Sequence, residues 1–271
     1  MHRIQNFLAR CTDNELEILL AAASKAALAA GRLILERYER PHEIAMKGAI
    51  DLVTEADLAS EASIVASLAQ DCPGTMIMTE EDTETHEVSA NRFWVVDPLD
   101  GTTNFAHGFP FFAVSIALLD HGKPLIGVVY APLFDELFFA VRGSGAWLNG
   151  RAVSVTNTVR LIEALIGTGF PYAIDQALPG IIRQLKIILP KVRDIRRAGA
   201  AALDLAYVSC GRLDGFYEMN LKPWDTAAGW LLVEEAGGVV SDFSGNPHSP
   251  RSPGILASNG ALHRQLLNLV Q

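Results

Sequence analysis

The residues of this chain best suited to chemistry are acids standing at the ends of apolar runs, and the plainest case is Asp97-Pro98-Leu99-Asp100-Gly101-Thr102-Thr103. The run Phe93-Trp94-Val95-Val96 delivers Asp97 at a strand end. Pro98 should stop the ladder there because it lacks an N–H, with Asp100 just beyond the turn. Gly101 can enter backbone conformations closed to other residues, leaving successive N–H groups and the Thr102 hydroxyl to meet an anion. Paired carboxylates beside an anion cradle repel one another unless a divalent cation supplies the opposite charge. The plain alternative is a strand followed by an ordinary Asp, Pro and Gly turn. The segment alone does not separate the two readings.

Three further acidic segments tip the balance. Glu80-Glu81 follows a β-type run, Asp51-Leu52-Val53-Thr54-Glu55-Ala56-Asp57 opens a helix, and Trp224-Asp225 opens another. Singly, each could merely complement a helix dipole. Together they stand where strand ends and helix N-termini converge in α/β proteins. Oxygen donors without histidine or thiolate favour a hard ion, Mg2+ first and Mn2+ second.

These acids need a scaffold, and the hydrophobic pattern outlines one. Thr12-Asp13-Asn14-Glu15 has capping-box spacing and opens a helix running to about Tyr38, before Pro41. A second helix follows Thr54, with Leu58, Ala62, Val65 and Leu68/Ala69 on its buried face. Short strands are expected at 76–78, 93–96, 112–118, 125–130 and 137–141, and His121-Gly122-Lys123 is a tight antiparallel link. Beyond about residue 155, strands at 164–168, 213–219, 238–242 and 254–258 alternate with helices at 176–189, 198–210, 224–236 and 260–270. That alternation predicts a layered α/β half, with 246–253 a surface loop. The expectation is a single domain over 1–271, with an N-terminal α+β half (about 1–155) and a C-terminal α/β half (about 156–271).

Bulk composition narrows the function classes. At 271 residues and 49% hydrophobic, the chain can bury a sizeable core. A net charge of −9 argues against general electrostatic binding to nucleic acid or anionic membranes. Cys11, Cys72 and Cys210 are odd in number and irregular in spacing, so no disulfide framework or Cys-x-x-Cys motif is expected. No apolar stretch reads as a signal peptide or as a span of roughly 20 residues, and a cytoplasmic protein is expected. Dinucleotide and Walker loops are absent from the sequence.

Three segments also carry a family resemblance. Trp94-Val95-Val96-Asp97-Pro98-Leu99-Asp100-Gly101-Thr102-Thr103-Asn104-Phe105, then Trp224-Asp225-Thr226-Ala227-Ala228-Gly229 and Glu235-Ala236-Gly237-Gly238, resemble the signatures of the inositol monophosphatases. These belong to the wider group of lithium-sensitive, magnesium-dependent sugar phosphatases, and the likeness covers nearly the whole chain. Arg197-Ala198-Gly199-Ala200-Ala201-Ala202-Leu203-Asp204-Leu205-Ala206-Tyr207, Leu221-Lys222-Pro223-Trp224-Asp225 and Thr168-Gly169-Phe170-Pro171-Tyr172 look like its bacterial SuhB-type branch. The resemblance implies an α/β (α+β) protein with a layered α-β-α-β-α sugar-phosphatase fold, commonly a homodimer. It also implies roles. Glu80 and Asp97, with the Leu99 carbonyl, would hold one metal, and Asp97, Asp100 and Asp225 a second. Asp57 and Thr102, helped by Glu80, would orient the attacking water, and the Gly101 and Thr102 amides would grip phosphate. Glu218 and Ala201, with Asp100 nearby, would face the substrate's alcohol portion. Lys47 precedes Asp51 by one residue fewer than the animal enzymes lead one to expect, which leaves both as weaker candidates.

The expected reaction is hydrolysis of a phosphate monoester by an in-line water without a covalent phosphoenzyme, the substrate being inositol-1-phosphate or another small phosphorylated polyol or sugar. Fructose bisphosphate, histidinol phosphate and a 3′-phosphonucleotide are alternatives, as is a SuhB-like regulatory partnership with the transcription or ribosomal RNA machinery. His107 suits a general acid or, more plainly, a loop hydrogen-bonding residue; Arg196-Arg197 suit binding of a phosphate or acidic partner or, more plainly, a solvated pair; and Phe109-Pro110-Phe111-Phe112 is core or subunit interface. Trp224 fits both a core anchor and a wall of the site.

Overall fold

The computed structural model describes residues 2–8, 13–40, 44–46, 52–81, 91–171 and 174–271. Lys47, Asp51, Cys11 and Tyr172 lie outside these residues, and the remaining cysteines, Cys72 and Cys210, are free.

A short helix α1 (Gln5–Leu8) precedes α2 (Asn14–Arg37). The cap of α2 is Asp13, whose carboxylate accepts hydrogen bonds from the amides of Glu15 and Leu16 at 2.9 and 3.2 Å. Thr12, expected to cap it, lies outside the described residues. By length and composition α2 could cross a membrane, contrary to the reading of the sequence. Its row Leu20, Ala23, Ala27, Ala30 and Ile34 is instead buried in the protein core.

After the antiparallel pair β1 (Ile44–Met46) and β2 (Leu52–Thr54) comes α3 (Glu55–Asp71). Thr54 and Asp57 form its capping box. The buried face of α3 is Ala56, Ser60, Ile64 and Leu68; Leu58 is 54% exposed, and Ala62 and Ala69 face solvent. An alanine-rich helix offers more than one apolar stripe, and polar contacts choose between them here. Asp57 is buried on that face, and Ser60 donates to the Pro98 carbonyl at 2.7 Å.

The seven strands β3 (Met76–Thr79), β4 (Arg92–Asp100), β5 (Ala113–Asp120), β6 (Lys123–Ala131), β7 (Glu136–Val141), β8 (Ala146–Leu148) and β9 (Arg151–Val153) lie in chain order. β3 and β4 are parallel, and the remaining pairs are antiparallel. The turn from β5 to β6 has positive φ at His121 (51°) and Gly122 (75°), as a two-residue hairpin requires. Pro98 does not end β4 as expected. The strand continues through an irregularity between Asp97 and Asp100, and Asp100 still pairs with Ala113. Alternation sends Trp94, Val96, Ile116, Val128 and Phe139 to the side of α2 and α3, and Val95, Ala117, Val129 and Ala140 to the other.

The second sheet has the order β11-β10-β12-β14-β13, built from β10 (Leu165–Thr168), β11 (Asp194–Arg196), β12 (Gly215–Met219), β13 (Val239–Ser241) and β14 (Gly254–Ser258). Helix α4 (Thr102–Ala106) follows β4 in the first half, whereas α5 (Ile174–Ile188), α6 (Ala201–Ser209), α7 (Pro223–Glu235) and α8 (His263–Val270) belong to the second. Residues of α6 and α7 enter two cores. Leu203, Ala206, Ala228 and Leu231 pack on the first sheet, and Leu205, Val208, Trp230 and Val233 on the second. Ile188, Leu266 and Leu269, from α5 and α8, pack with Ile166 and Leu256 of the second sheet's strands. The result is the α-β-α-β-α layering. α7 sits so close to β6 that a Cβ at Gly127 would stand 2.8 Å from the Ala228 carbonyl oxygen.

Candidate active site

The acidic segments arrive at one cleft by separate routes. Glu80 follows β3, and its amide donates to the Val96 carbonyl at 3.2 Å, which holds it beside β4. Asp97 is 2% exposed and accepts from the Leu99 amide at 3.0 Å. Asp225 sits in the first turn of α7 and accepts from the Lys222 amide at 2.6 Å. The Ser115 hydroxyl donates to the Trp224 carbonyl at 3.1 Å and so ties the start of α7 to β5, the strand beside β4.

Asp100 has a second task. Ala200 offers no side chain to cap α6, and Asp100 accepts from the amides of Ala201, Ala202 and Leu203 at 3.1, 2.8 and 3.3 Å. The carboxylate therefore occupies the positive end of α6 and joins the two halves of the chain.

Gly101 has φ of 91°, the left-handed region its type was expected to supply, and α4 starts at the next residue. The Thr102 hydroxyl lies 2.8 Å from Asp57 Oδ1 and 3.0 Å from the Leu99 carbonyl, two acceptors for one proton. Asp57 Oδ2 accepts from the amide and hydroxyl of Thr54 at 2.8 and 2.6 Å. Asp57 thus links the cap of α3 to the start of α4.

Glu80, Asp97, Leu99, Asp100, Gly101, Thr102, Ala201, Glu218 and Asp225 all line a cleft of about 230 Å³. Asp57 stands behind them through Thr102. Burial lifts Asp97 well above the ordinary carboxylate range, and the charges of Glu80, Asp100 and Asp225 add to it. Burial likewise raises Asp225 and Asp57, and it lifts Asp100 to about 7 and Glu218 to about 8. Arg197 opposes the rise at Glu218. Among the described residues, no ion pair neutralises Asp97, Asp100 or Asp225, and no three acids, histidines or cysteines already form a cage. The named amides engage one oxygen each of Asp97 and Asp225 and both oxygens of Asp100, which leaves acceptor capacity for a hard cation. The donor set therefore fits such an ion.

At two residues near the site the structure departs from the plainer reading of the sequence, which favoured a solvated Arg197 and gave Asp204 no role. Arg197 lines the cleft, with its guanidinium 5.4 Å from the Phe170 ring centroid, whereas its neighbour Arg196 is the exposed ion-pair partner of Asp194. Asp204 is 2% exposed and raised well above its usual range by burial, with Asp100 and Glu218 adding to it. A lone acid in an otherwise apolar helix was the available signal. Trp224 is both core residue and cleft wall. Phe112 is core, Phe111 packs on Tyr207, and Phe109 and His107 are exposed.

Fold and site together define a five-layered α/β protein with an all-oxygen acidic cleft at the junction of its halves. The profile of the inositol monophosphatase family matches residues 15–271. Nus factor SuhB of Escherichia coli (strain K12) is 44% identical over 251 residues, which is 92% of this chain and 94% of that one. An inositol-1-monophosphatase of Synechocystis is 42% identical, over 94% and 89% of the two chains. The crystal structure of the extragenic suppressor protein suhB from Bartonella henselae superposes with a TM-score of 0.88 at 41% identity, covering 93% of this chain and 98% of that one. The chain belongs to the inositol monophosphatase family, and its activity class is that of a phosphatase.

Proposed function

We propose that this protein hydrolyses small phosphorylated polyols, inositol-1-phosphate foremost, with Mg2+ as cofactor and Mn2+ as a substitute. The observation that supports this most is the convergence of Glu80, Asp97, Asp100 and Asp225 with Gly101 and Thr102 in one cleft. Glu80, Asp97, the Leu99 carbonyl, Asp100 and Asp225 are the residues that would hold the ions, with Asp97 common to both. When bound, magnesium would offset the phosphate's negative charge and make water more acidic.

The chain's own residues do the rest. The Gly101 and Thr102 amides face phosphate oxygens at the start of α4. Thr102, by donating to Asp57, keeps its hydroxyl oxygen available to accept from the attacking water. Asp57 is held in turn by Thr54, which fixes that orientation. The Thr102 hydroxyl can pass its own proton to Asp57 as it accepts the water's, and Glu80 helps to orient that water. Glu218 and Ala201 contact the alcohol portion, with Asp100 beside them.

Phosphate release from inositol-1-phosphate, fructose-1,6-bisphosphate, histidinol phosphate and a 3′-phosphonucleotide, each with magnesium or with EDTA, tests the reading. Magnesium-dependent turnover greatest on inositol-1-phosphate is expected. A stronger preference for another substrate would replace the substrate assignment, and no turnover on any would overturn the activity.

A second reading rests on the relative named as a Nus factor. Here the chain would act as a partner of the transcription machinery, with catalysis separable. Growth of a deletion strain carrying Asp97→Asn would favour that role, and failure to grow would favour the enzymatic one. The proposal further includes a homodimer, checked by light scattering, and a cytoplasmic location, checked by fractionation.

A further inference from the structure

Gly169 follows β10, and β10 pairs in parallel with β12 so that Thr168 lies opposite Tyr217. Gly169 and Glu218 are therefore the next neighbours along the two strands. A Cβ at 169 would fall within the Glu218 carboxylate, overlapping both oxygens and the carbon between them. Rotating the carboxylate cannot relieve that overlap, because all three atoms are involved, so the whole head must move. Gly169 does not have positive φ. Its lack of a side chain answers a steric demand rather than a conformational one.

The overlap is with the end of a side chain, whereas Gly127 would meet backbone. The strands can consequently keep their register while Glu218 yields. On its far side, the Glu218 backbone is held by pairing with Ile255 of β14. Arg197 attracts the Glu218 head when that head is ionised. Gly169, Glu218 and Arg197 line the same cleft. A head displaced toward Arg197 enters the part of the cleft that the proposal gives to the substrate's alcohol portion.

We propose that Gly169 is a specificity-determining residue, which lets the Glu218 carboxylate lie back against the end of β10 and so keeps room for a cyclic polyol. The inference rests on the phosphatase reading above. It assigns Gly169 a positioning role that acts through Glu218.

The test is a double-mutant cycle of Gly169→Ala and Glu218→Ala in the full-length protein, read by melting temperature and by kcat/KM on inositol-1-phosphate relative to glycerol-2-phosphate. Gly169→Ala is expected to lower the melting temperature and to cut the preference for inositol-1-phosphate roughly tenfold, mainly through KM, the scale of a one-methylene misfit. Both effects should largely vanish in the Glu218→Ala background. If Gly169→Ala does not fold, Gly169→Ala/Glu218→Asp replaces it, with a head one methylene shorter, and is compared with Glu218→Asp. Equal melting-temperature losses in the two backgrounds, or an unchanged preference, would overturn the proposal. Loss of the phosphatase reading is distinguishable, because the wild type would then release phosphate from neither substrate while the thermal cycle still reports on the Gly169–Glu218 contact.

Discussion

Asp97 and Glu81 show how similar acids receive different work. Asp97 is buried among three other carboxylates of the cleft, whereas Glu81 is only partly buried and does not line it. Asp97→Asn is expected to lower kcat by about 10²–10³-fold, the range for losing one preorganised electrostatic contact at a reacting centre. Glu81→Gln should stay near wild type, and circular dichroism should show both variants folded. Comparable activity in the two would remove Asp97 from its assigned place. At this scale the motif was readable because Asp97, Asp100 and Gly101 are close in sequence. Asp204 was not, since its relation to Asp100 and Glu218 depends on how α6 packs.

At the scale of elements, α6 depends on a carboxylate from β4 for its first turn. Asn and Ala at position 100 are both uncharged, and of the two Asn better supports a helix N-terminus. Asp100→Ala should therefore be less stable than Asp100→Asn by about 1 kcal/mol in urea unfolding, the usual worth of a cap. Equal stability would mean that the contact does not support the helix. The helices were legible from periodicity, but their faces were less so. Leu58 and Ala62 form a plausible apolar stripe on α3, yet Ser60 and Asp57 face inward because their partners wait there.

Across the whole molecule, the raised carboxyls couple stability to pH. Asp100 at about 7 and Glu218 at about 8 lie above their unfolded values of 3.8 and 4.5, so the folded state holds protons more tightly. Their contribution is full below the unfolded values and is lost as pH rises through the folded ones. With EDTA, the melting temperature should fall between about pH 5 and pH 8. Magnesium added at about pH 8 should restore it, because an ion that binds only the folded state stabilises that state. A melting temperature that rises over this window without metal would contradict the arrangement of buried acids.

Local order in the chain was enough to reveal the strand before Asp97, the left-handed Gly101, the hairpin at His121-Gly122 and most of the helices, because each depends on neighbours a few residues apart. The pattern of acids at element ends grouped Glu80, Asp57 and Asp225 with Asp97, and family resemblance supplied the layering and the division of the ligands between two ions. The physical meeting of Glu80, Asp97 and Asp225, the capping of α6 by Asp100 and the seating of Glu218 over Gly169 arise only when two sheets close on the α6–α7 layer. Those contacts join residues distant in sequence, and burial, which sets their charge state, is a property of the packed molecule. The segment from Asp97 to Thr103 thus became a candidate in one dimension through its company of distant acids, while which of its groups face the cleft is set by packing in three.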